Sequence, residues 1–354
     1  MIVIISDKVI AELAPTINKE NMNELISVIM PAYKSAKTIK NSIESVLSQS
    51  YTNLELIVVI DGEEDNTYEV CTSINDNRLR IFQKENSGVV GAYCFGIKQA
   101  KGQYIAFCDS DDTFKPGFLE KGISLIEEKD CDFVSFAYEV VNPKGEVVES
   151  IRNTIENGLY DKAKINSEIL PKLVFNSFIR EKMFILLVLR WNKIYKRKLV
   201  DTFVDTLDQK CRQIEDNFFT INAVLNASSF YIDNDFKCYE YCIGESSISM
   251  GWQNDSILDA YFYTIECIAK RTASVPEINP HQNDFLAYDN ARIVFHRCAK
   301  NADFKAAKAL LSKIRKNERV RRVKFSELKM LKNKIYHIGL KLHLDWLLYQ
   351  IFKR

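Results

Sequence analysis

Residues Leu25–Gly62 read LISVIMPAYKSAKTIKNSIESVLSQSYTNLELIVVIDG, and their pattern decides the fold class. Leu25–Met30 is a short β-prone apolar run that Pro31 is expected to stop, because proline cannot donate to a ladder. Ser35 is a candidate cap for a helix whose apolar positions Ile39, Ile43, Val46 and Leu47 recur at helical spacing. Leu54–Ile60 is then dominated by apolar β-formers, as in a strand covered on both faces. The alternation continues downstream. A helical stretch ends at Ile74, Arg78–Phe82 reads as a strand, Val89–Ala100 as a helix and Tyr104–Cys108 as a strand. Phe118–Glu128 is helical and Phe133–Tyr138 again extended. Repeated βα units predict an α/β fold with a mostly parallel sheet and helices on both faces. Ligands of such sheets bind beyond the carboxyl ends of the strands, so those ends are where chemistry is expected.

Outside this region the pattern changes. Residues 1–24 form a polar leader, and beyond about residue 140 the alternation weakens. From about Asp255 onward the sequence is helical without a second βα series. The stripe Leu328, Leu331, Ile335, Ile338 and Leu342 marks one face of an amphipathic helix. With 354 residues, 47% hydrophobic and 27% charged, the composition is that of a globular chain. The longest apolar run, Met183–Leu189, is too short to span a bilayer, and Asp7 and Lys8 interrupt the N-terminal apolar stretch too early for a signal peptide. Nine scattered cysteines suit a reducing compartment, so a cytoplasmic protein is expected. The net charge of +1 hides an asymmetry: Leu311–Arg354 carries 13 Lys or Arg against three acids. An acidic body with a basic amphipathic tail points to an anionic surface for residues 311–354, either an anionic membrane or the acidic body itself, on which the stripe would pack. The tail holds no nucleic-acid-reading motif, so no nucleic acid is expected.

The strand ends read Pro31-Ala32-Tyr33, Asp61-Gly62, Asn86-Ser87-Gly88 and Asp109-Ser110-Asp111-Asp112. Three carboxylates in the last of these repel one another unless they share a cation. Their hard oxygens suit Mn2+ or Mg2+, which complete their shells with phosphate and water. An isolated DSDD could equally be a solvated turn capping the helix near Pro116; its place after a buried strand favours the cation. Other chemistries lack their residues. There is no G-x-x-x-x-G-K-[ST] and no G-x-G-x-x-G after the first strand. All four histidines are C-terminal to the acid cluster, and Cys238 and Cys242 have no second ligand pair for zinc.

The run Ser27–Gly62, the NSGV at Asn86–Val89 and KGQYIAFCDSDD at Lys101–Asp112 resemble the family-2 glycosyltransferases of the GT-A fold. RWNKIYKRKL (Arg190–Leu199) and IEDNFF (Ile214–Phe219) are similar to acceptor-side motifs of bacterial surface-polysaccharide transferases in that family. The resemblance covers about Leu25–Ser249 and implies a GT-A catalytic domain over 25–250, with a nucleotide-binding half (25–112) and an acceptor half (113–250). A helical C-terminal region would follow over 251–354. It further implies that Tyr33 stacks on uracil, with Pro31 and Ala32 lining the pocket and Asp61 contacting the base. Asn86, Gly88 and Ser110 would complete the donor site. Asp109 would meet the ribose and, with Asp111, hold the cation. Asp216 would be the general base, with Glu215 beside it, and Trp191, Asn192 and Lys193 would face the acceptor.

Two departures stand out. Ala92-Tyr93-Cys94 occupies the place where relatives often read A-R-N, and Tyr239–Ser249 lacks the Arg or His that often faces the diphosphate. Lys84, Lys193 and Lys237 are candidate replacements. Arg190-Trp191 precedes Asp216, unlike the Q-x-x-R-W of processive synthases, so the resemblance implies addition of a single sugar. The implied function is a metal-dependent, inverting transfer from a UDP-sugar to a lipid-linked oligosaccharide. A sugar nucleotidyltransferase, or a catalytically degenerate binding module on the same fold, is the alternative.

Overall fold

The computed structural model describes residues 24–62, 64–177, 188–243 and 256–353. The expected leader therefore lies almost wholly outside the described residues, as do most of Met183–Leu189 and the boundary expected at 250. Strands β1 (Ile26–Ala32), β2 (Leu54–Asp61), β3 (Leu79–Lys84) and β4 (Tyr104–Phe107) are all parallel, in the order β3-β2-β1-β4. Every residue of β1 and β2 is buried, which accounts for their apolar runs. Helices α1 (Ile39–Leu47), α2 (Thr67–Thr72) and α3 (Val89–Gln99) are the crossovers between them.

Two local expectations are corrected. Pro31 does not stop β1 but lies within it, opposite Val59 of β2. The pairing of β1 with β4 ends at Ile29, so no ladder donor is required of Pro31 on that side. Ser35 does not cap α1 with its side chain. Its carbonyl accepts from Thr38 and Ile39, while its hydroxyl lies 2.7 Å from that of Ser110.

One charged residue of β2 is structural. Buried Glu55 accepts hydrogen bonds from the Ser27 hydroxyl and the Lys101 amide, each at 2.6 Å, and pairs with Arg80. It ties together three strands and the turn before β4. Its carboxyl is held below the ordinary value: burial alone would raise it, and the donors from Ser27, Lys101 and Arg80 outweigh that.

The second half of the sheet was largely illegible in the sequence. It contains β5 (Thr113–Phe114), β6 (Phe133–Val141), β7 (Val147–Ile151), β8 (Gly158–Asp161), β9 (Lys193–Lys196) and β10 (Ser229–Cys242). Strand β9 runs antiparallel between β4 and β6 and so joins the two halves. Strand β10 is parallel to β6, with register shifts on both sides of Lys237. That irregularity lets it pair with β8 at its start and β5 near its end. Helix α4 (Phe118–Lys129) precedes β6, followed later by α5 (Arg197–Asp201) and α6 (Glu215–Asn226).

The C-terminal region is helical, as expected: α7 (Ser256–Thr272), α8 (His281–Asn301), α9 (Phe304–Lys316), α10 (Glu318–Arg322), α11 (Leu331–Lys341) and α12 (Asp345–Lys353). The stripe from Leu328 to Leu342 is not one face of one helix, because a short turn at Phe325–Glu327 precedes α11, which starts only at Leu331. Leu328 is buried, whereas Leu331, Ile338 and Leu342 are exposed; α11 packs through Tyr336, His337 and Leu340 instead. Among the described residues no helix is long and apolar enough to cross a membrane.

Gly96 shows how closely α3 sits on the parallel strands. A Cβ there would lie 2.6 Å from Cγ2 of Ile29 and 3.3 Å from Cγ2 of Val59. Gly96→Ala is expected to destabilise the protein by about 1–3 kcal/mol through overpacking. Urea denaturation checks this, and an unchanged midpoint would show that α3 has room to move.

Candidate active site

The carboxyl ends of β1, β2 and β4 converge on one side of the parallel half-sheet. At β1, Pro31 and Ala32 are buried, leaving Tyr33 as the exposed residue, its hydroxyl donating to Glu64 at 2.8 Å. Lys34 follows in the left-handed region, with φ 52°. At β2, Gly62 takes φ 101°, and a Cβ there would lie 3.2 Å from Cβ of Asn86 and 3.7 Å from the Tyr33 ring. Tyr33, Gly62 and Asn86 are thus immediate neighbours.

Asp61 was expected to meet the base. The structure instead engages its buried carboxylate in organising the next turn. It accepts from the amides of Ser87 and Gly88 at 2.8 and 2.7 Å and pairs with Lys84 at 3.0 Å, while Asn86 donates to its carbonyl. A strand-end carboxylate facing two amides at a helix start is a local electrostatic solution, and it leaves Asn86 exposed. Lys84 is likewise committed to Asp61 rather than free to replace a missing cation. Gly88, with φ 83°, begins α3, and a Cβ there would strike the Arg212 guanidinium at 1.5 Å. Arg212, exposed and unremarked in the sequence, therefore brings a positive charge to the Asn86–Gly88 turn.

The acid loop after β4 is organised from β10. The Tyr239 hydroxyl accepts from the Asp109 amide at 2.9 Å and donates to Asp112 at 3.0 Å. The Cys242 amide donates to the other oxygen of Asp112 at 2.8 Å. Asp112 is buried, and its carboxyl is pushed well up, by burial first and then by Asp111 and Asp109. It is a positioning residue. Ser110 is buried against Ser35. Asp111 is exposed, and no ion pair engages it among the described residues.

Arg190 closes the site. Its side chain is almost wholly buried, and its guanidinium pairs with Asp109 through Nη2 and with Asp216 through Nη1. It also lies over the rings of Tyr93 and Phe107, at 5.1 and 5.7 Å. Tyr93, standing where an arginine was expected, thus supports a cation supplied from elsewhere in the chain. Ile214, just before α6, takes φ 49°, a costly conformation for a β-branched residue, and it directs Glu215 and Asp216 from the first turn of α6. The Asp109 and Glu215 carboxyls are both raised, chiefly by burial; for Glu215 the neighbouring Asp216 adds to this, and Arg190 opposes it in both.

The expected acceptor residues are enclosed. Trp191 is buried, stacked on Tyr239 at 4.1 Å and Tyr241 at 6.0 Å, with Tyr138 edge-on. Asn192 donates to the Phe136 carbonyl at 2.6 Å, and Lys193 donates to the Leu189 carbonyl and to Asn192. Their place is beneath the acid loop, because strand β9, which begins at Lys193, is internal to the sheet. Lys237 donates to the carbonyls of Asn234 and Asp235.

The donor set at the acid loop fits a hard divalent cation. Asp111 is exposed, Asp109 lies two residues before it, and Arg190 already pairs with Asp109 and Asp216. Among the described residues no group of three or more His, Cys, Asp or Glu side chains could by itself hold a metal. A cation here would therefore take carboxylates from Asp111 and Asp109 and its other ligands from phosphate and water, as Mg2+ commonly does.

A family model described as glycosyl transferase family 2 matches residues 27–185. The chain is 30% identical over 227 residues to a UDP-Glc:alpha-D-GlcNAc-diphosphoundecaprenol beta-1,3-glucosyltransferase, WfgD, of Escherichia coli, covering 64% of this chain and 79% of that protein. It is 42% identical over 116 residues, 32% of its length, to the glycosyltransferase GlyG of Streptococcus pneumoniae. The chain spans 38% of the length of that relative and 25% of an uncharacterized glycosyltransferase from Rickettsia felis. The fold matches that of S. aureus TarS 1-349 in complex with UDP-GlcNAc, with a TM-score of 0.60 at 21% identity, over 93% of this chain and 90% of the other.

Lys193 provides a test of the site's electrostatics. Burial pushes its ammonium down to about 7, opposed by the attraction of Asp216. Between that value and the ordinary lysine range, the unfolded chain binds a proton that the folded chain does not, so this residue makes stability rise with pH from about 7 to about 10. Lys193→Met removes that contribution. The stability difference between wild type and variant should therefore shift in favour of wild type by about 1 kcal/mol per pH unit across this window. Urea titrations at several pH values measure it, and parallel curves would show that Lys193 is charged in the folded state.

Proposed function

Because the chain belongs to the family-2 glycosyltransferases, we propose that it moves one sugar from a UDP-sugar to a hydroxyl of a lipid-linked glycan, with inversion and with a divalent cation. The observation that carries this reading is Arg190, which holds Asp109 of the acid loop and Asp216 of α6 in one site. The E. coli relative's name, with its UDP-Glc donor and diphosphoundecaprenol acceptor, supports both substrate classes, and the UDP-GlcNAc complex of TarS supports the donor. The nine cysteines scattered from Cys71 to Cys298 suit a reducing, cytoplasmic setting.

Tyr33, beside Gly62 and Asn86, is the exposed aromatic on which uracil stacks. Asp111 and Asp109 would hold Mn2+ or Mg2+, which would supply Lewis-acid charge neutralisation for a departing diphosphate. Arg212 adds positive charge at the Asn86–Gly88 turn. Asp216 accepts the proton of the attacking hydroxyl as the anomeric carbon passes through an oxocarbenium-like state. Arg190 orients that carboxylate and ties its position to the loop that grips the donor. With a single base opposite the leaving group, displacement inverts the anomeric centre. Trp191 and Asn192 act from beneath, as the foundation of the acid loop.

Asp216→Asn should keep UDP binding while lowering transfer by about 10² to 10⁴, the range for a positioned proton acceptor. Transfer near the wild-type rate would move the base to Glu215. Asp111→Asn should abolish the Mn2+-dependent part of UDP binding, read by calorimetry, with no loss of fold because the residue is exposed. Full Mn2+-dependent affinity in that variant would overturn the metal assignment.

A further inference from the structure

Of the fifteen large hydrophobic residues exposed among the described residues, nine fall between Phe325 and Ile351. Leu331, Leu342 and Trp346 are the most open, at 74%, 64% and 62%. Leu331, Ile338 and Leu342 share one side of α11, since steps of seven and four residues return to the same helical face. On α12, Trp346, Leu347 and Ile351 point outward while Leu348, Tyr349 and Phe352 are buried. The two helices are fixed to one another. A Cβ on Gly339 would lie 2.5 Å from the Leu348 side chain, and the reversal between the helices runs through His343 at φ 57°. The apolar surface is therefore a built hairpin rather than a frayed end. Exposure concentrated on this scale marks a contact surface.

The charge around it is mainly positive, Glu327 at its start being paired with His281. Leu328–Lys353 contains five lysines and a single acid, Asp345, which is paired with Arg315. None of the five lysines is in an ion pair among the described residues. Lys332, Lys334 and Lys353 lie over the rings of Phe352, Phe325 and Tyr349 at 5.2–5.5 Å, their stems along apolar surface and their ammonium groups at its edge. A second copy of this chain would bring lysines against lysines. A surface that is apolar within and anionic at its boundary satisfies both features together.

We propose that the outward face of α11 and α12 is a membrane-docking surface that takes anionic phospholipid headgroups, with Leu331, Ile338, Leu342, Trp346 and Leu347 entering the interface. The surface stands on its own exposure and charge. It deepens the reading of a lipid-linked acceptor by giving the enzyme a way to stay where that acceptor is held.

The test uses the full chain and vesicles of phosphatidylcholine with and without phosphatidylglycerol. The protein should sediment with phosphatidylglycerol vesicles, and less so as salt rises. Leu342→Ser with Trp346→Ser removes exposed groups only, and should lower partitioning by about tenfold or more. Lys332→Gln, Lys334→Gln and Lys341→Gln should each lower it by about fivefold on anionic vesicles. An intact chain that stays in the supernatant with phosphatidylglycerol vesicles overturns the proposal, as does a serine double variant that sediments like wild type. A dimer in solution that the double variant dissolves also overturns it, assigning the face to a second copy. The Mn2+-dependent UDP thermal shift, measured on the same samples, separates the two readings. Its presence without vesicle binding removes only the docking face, and vesicle binding without it removes only the sugar-transfer reading.

Discussion

The buried guanidinium of Arg190 is the constraint on which the site depends. Withdrawing a cation from water costs several kcal/mol, and only close counter-charges with good geometry offset this. Arg190 has two, Asp109 from the loop after β4 and Asp216 from the start of α6, with the faces of Tyr93 and Phe107 against it. A lysine has no fork with which to span both carboxylates. Releasing either acid would leave a buried charge without its partner, so the acid loop and the start of α6 are held in one arrangement. Neighbouring Lys193 shows the other outcome of burial: its ammonium is pushed down toward neutrality, and the attraction of Asp216 opposes that shift without cancelling it.

Around that centre, the backbone carries strain where side chains must be aimed. Lys34, after Tyr33, and Ile214, before Glu215, both occupy the left-handed region that their side chains disfavour. Each is stabilised by what surrounds it. The β1 end is tied to the acid loop through Ser35 and Ser110, and α6 is tied down through Asp216. The Asn86–Gly88 turn needs less strain because glycine takes the positive φ and the Asp61 carboxylate receives its amides.

The second half of the sheet is the support for this arrangement. Tyr239, on β10, reaches Asp109 and Asp112 with one hydroxyl, and its ring stacks on Trp191. The residues expected to face an acceptor thus form the floor under the acid loop. A buried tryptophan and a sugar platform are indistinguishable in sequence, since both call for an apolar ring near polar neighbours.

Local periodicity determined a great deal. The parallel half-sheet, its crossover helices and the acids at the strand ends are all legible in residues 25–128, because β1, β2 and β4 are buried on both faces and the longer helices show their stripes. The strands after residue 140 were not, because β7 is exposed at all but its last residue, β9 spans four residues, and β10 carries Asp233-Asn234-Asp235 at its bend. Their identity comes from partners distant in the chain. The same holds within the site. Asp61, Asp109 and Asp111 could be named from their strand ends and Asp216 from the resemblance of IEDNFF, but only tertiary structure turned Asp61 toward its own turn, brought Arg212 to Gly88 and set Arg190 between two acids. At the C-terminus, spacing established that an apolar face exists, while packing against α8 and α9 decided which side is covered. A sequence records which residues can share a helix or a strand; which charges meet, and which faces stay open, depends on contacts made only when distant segments fold together.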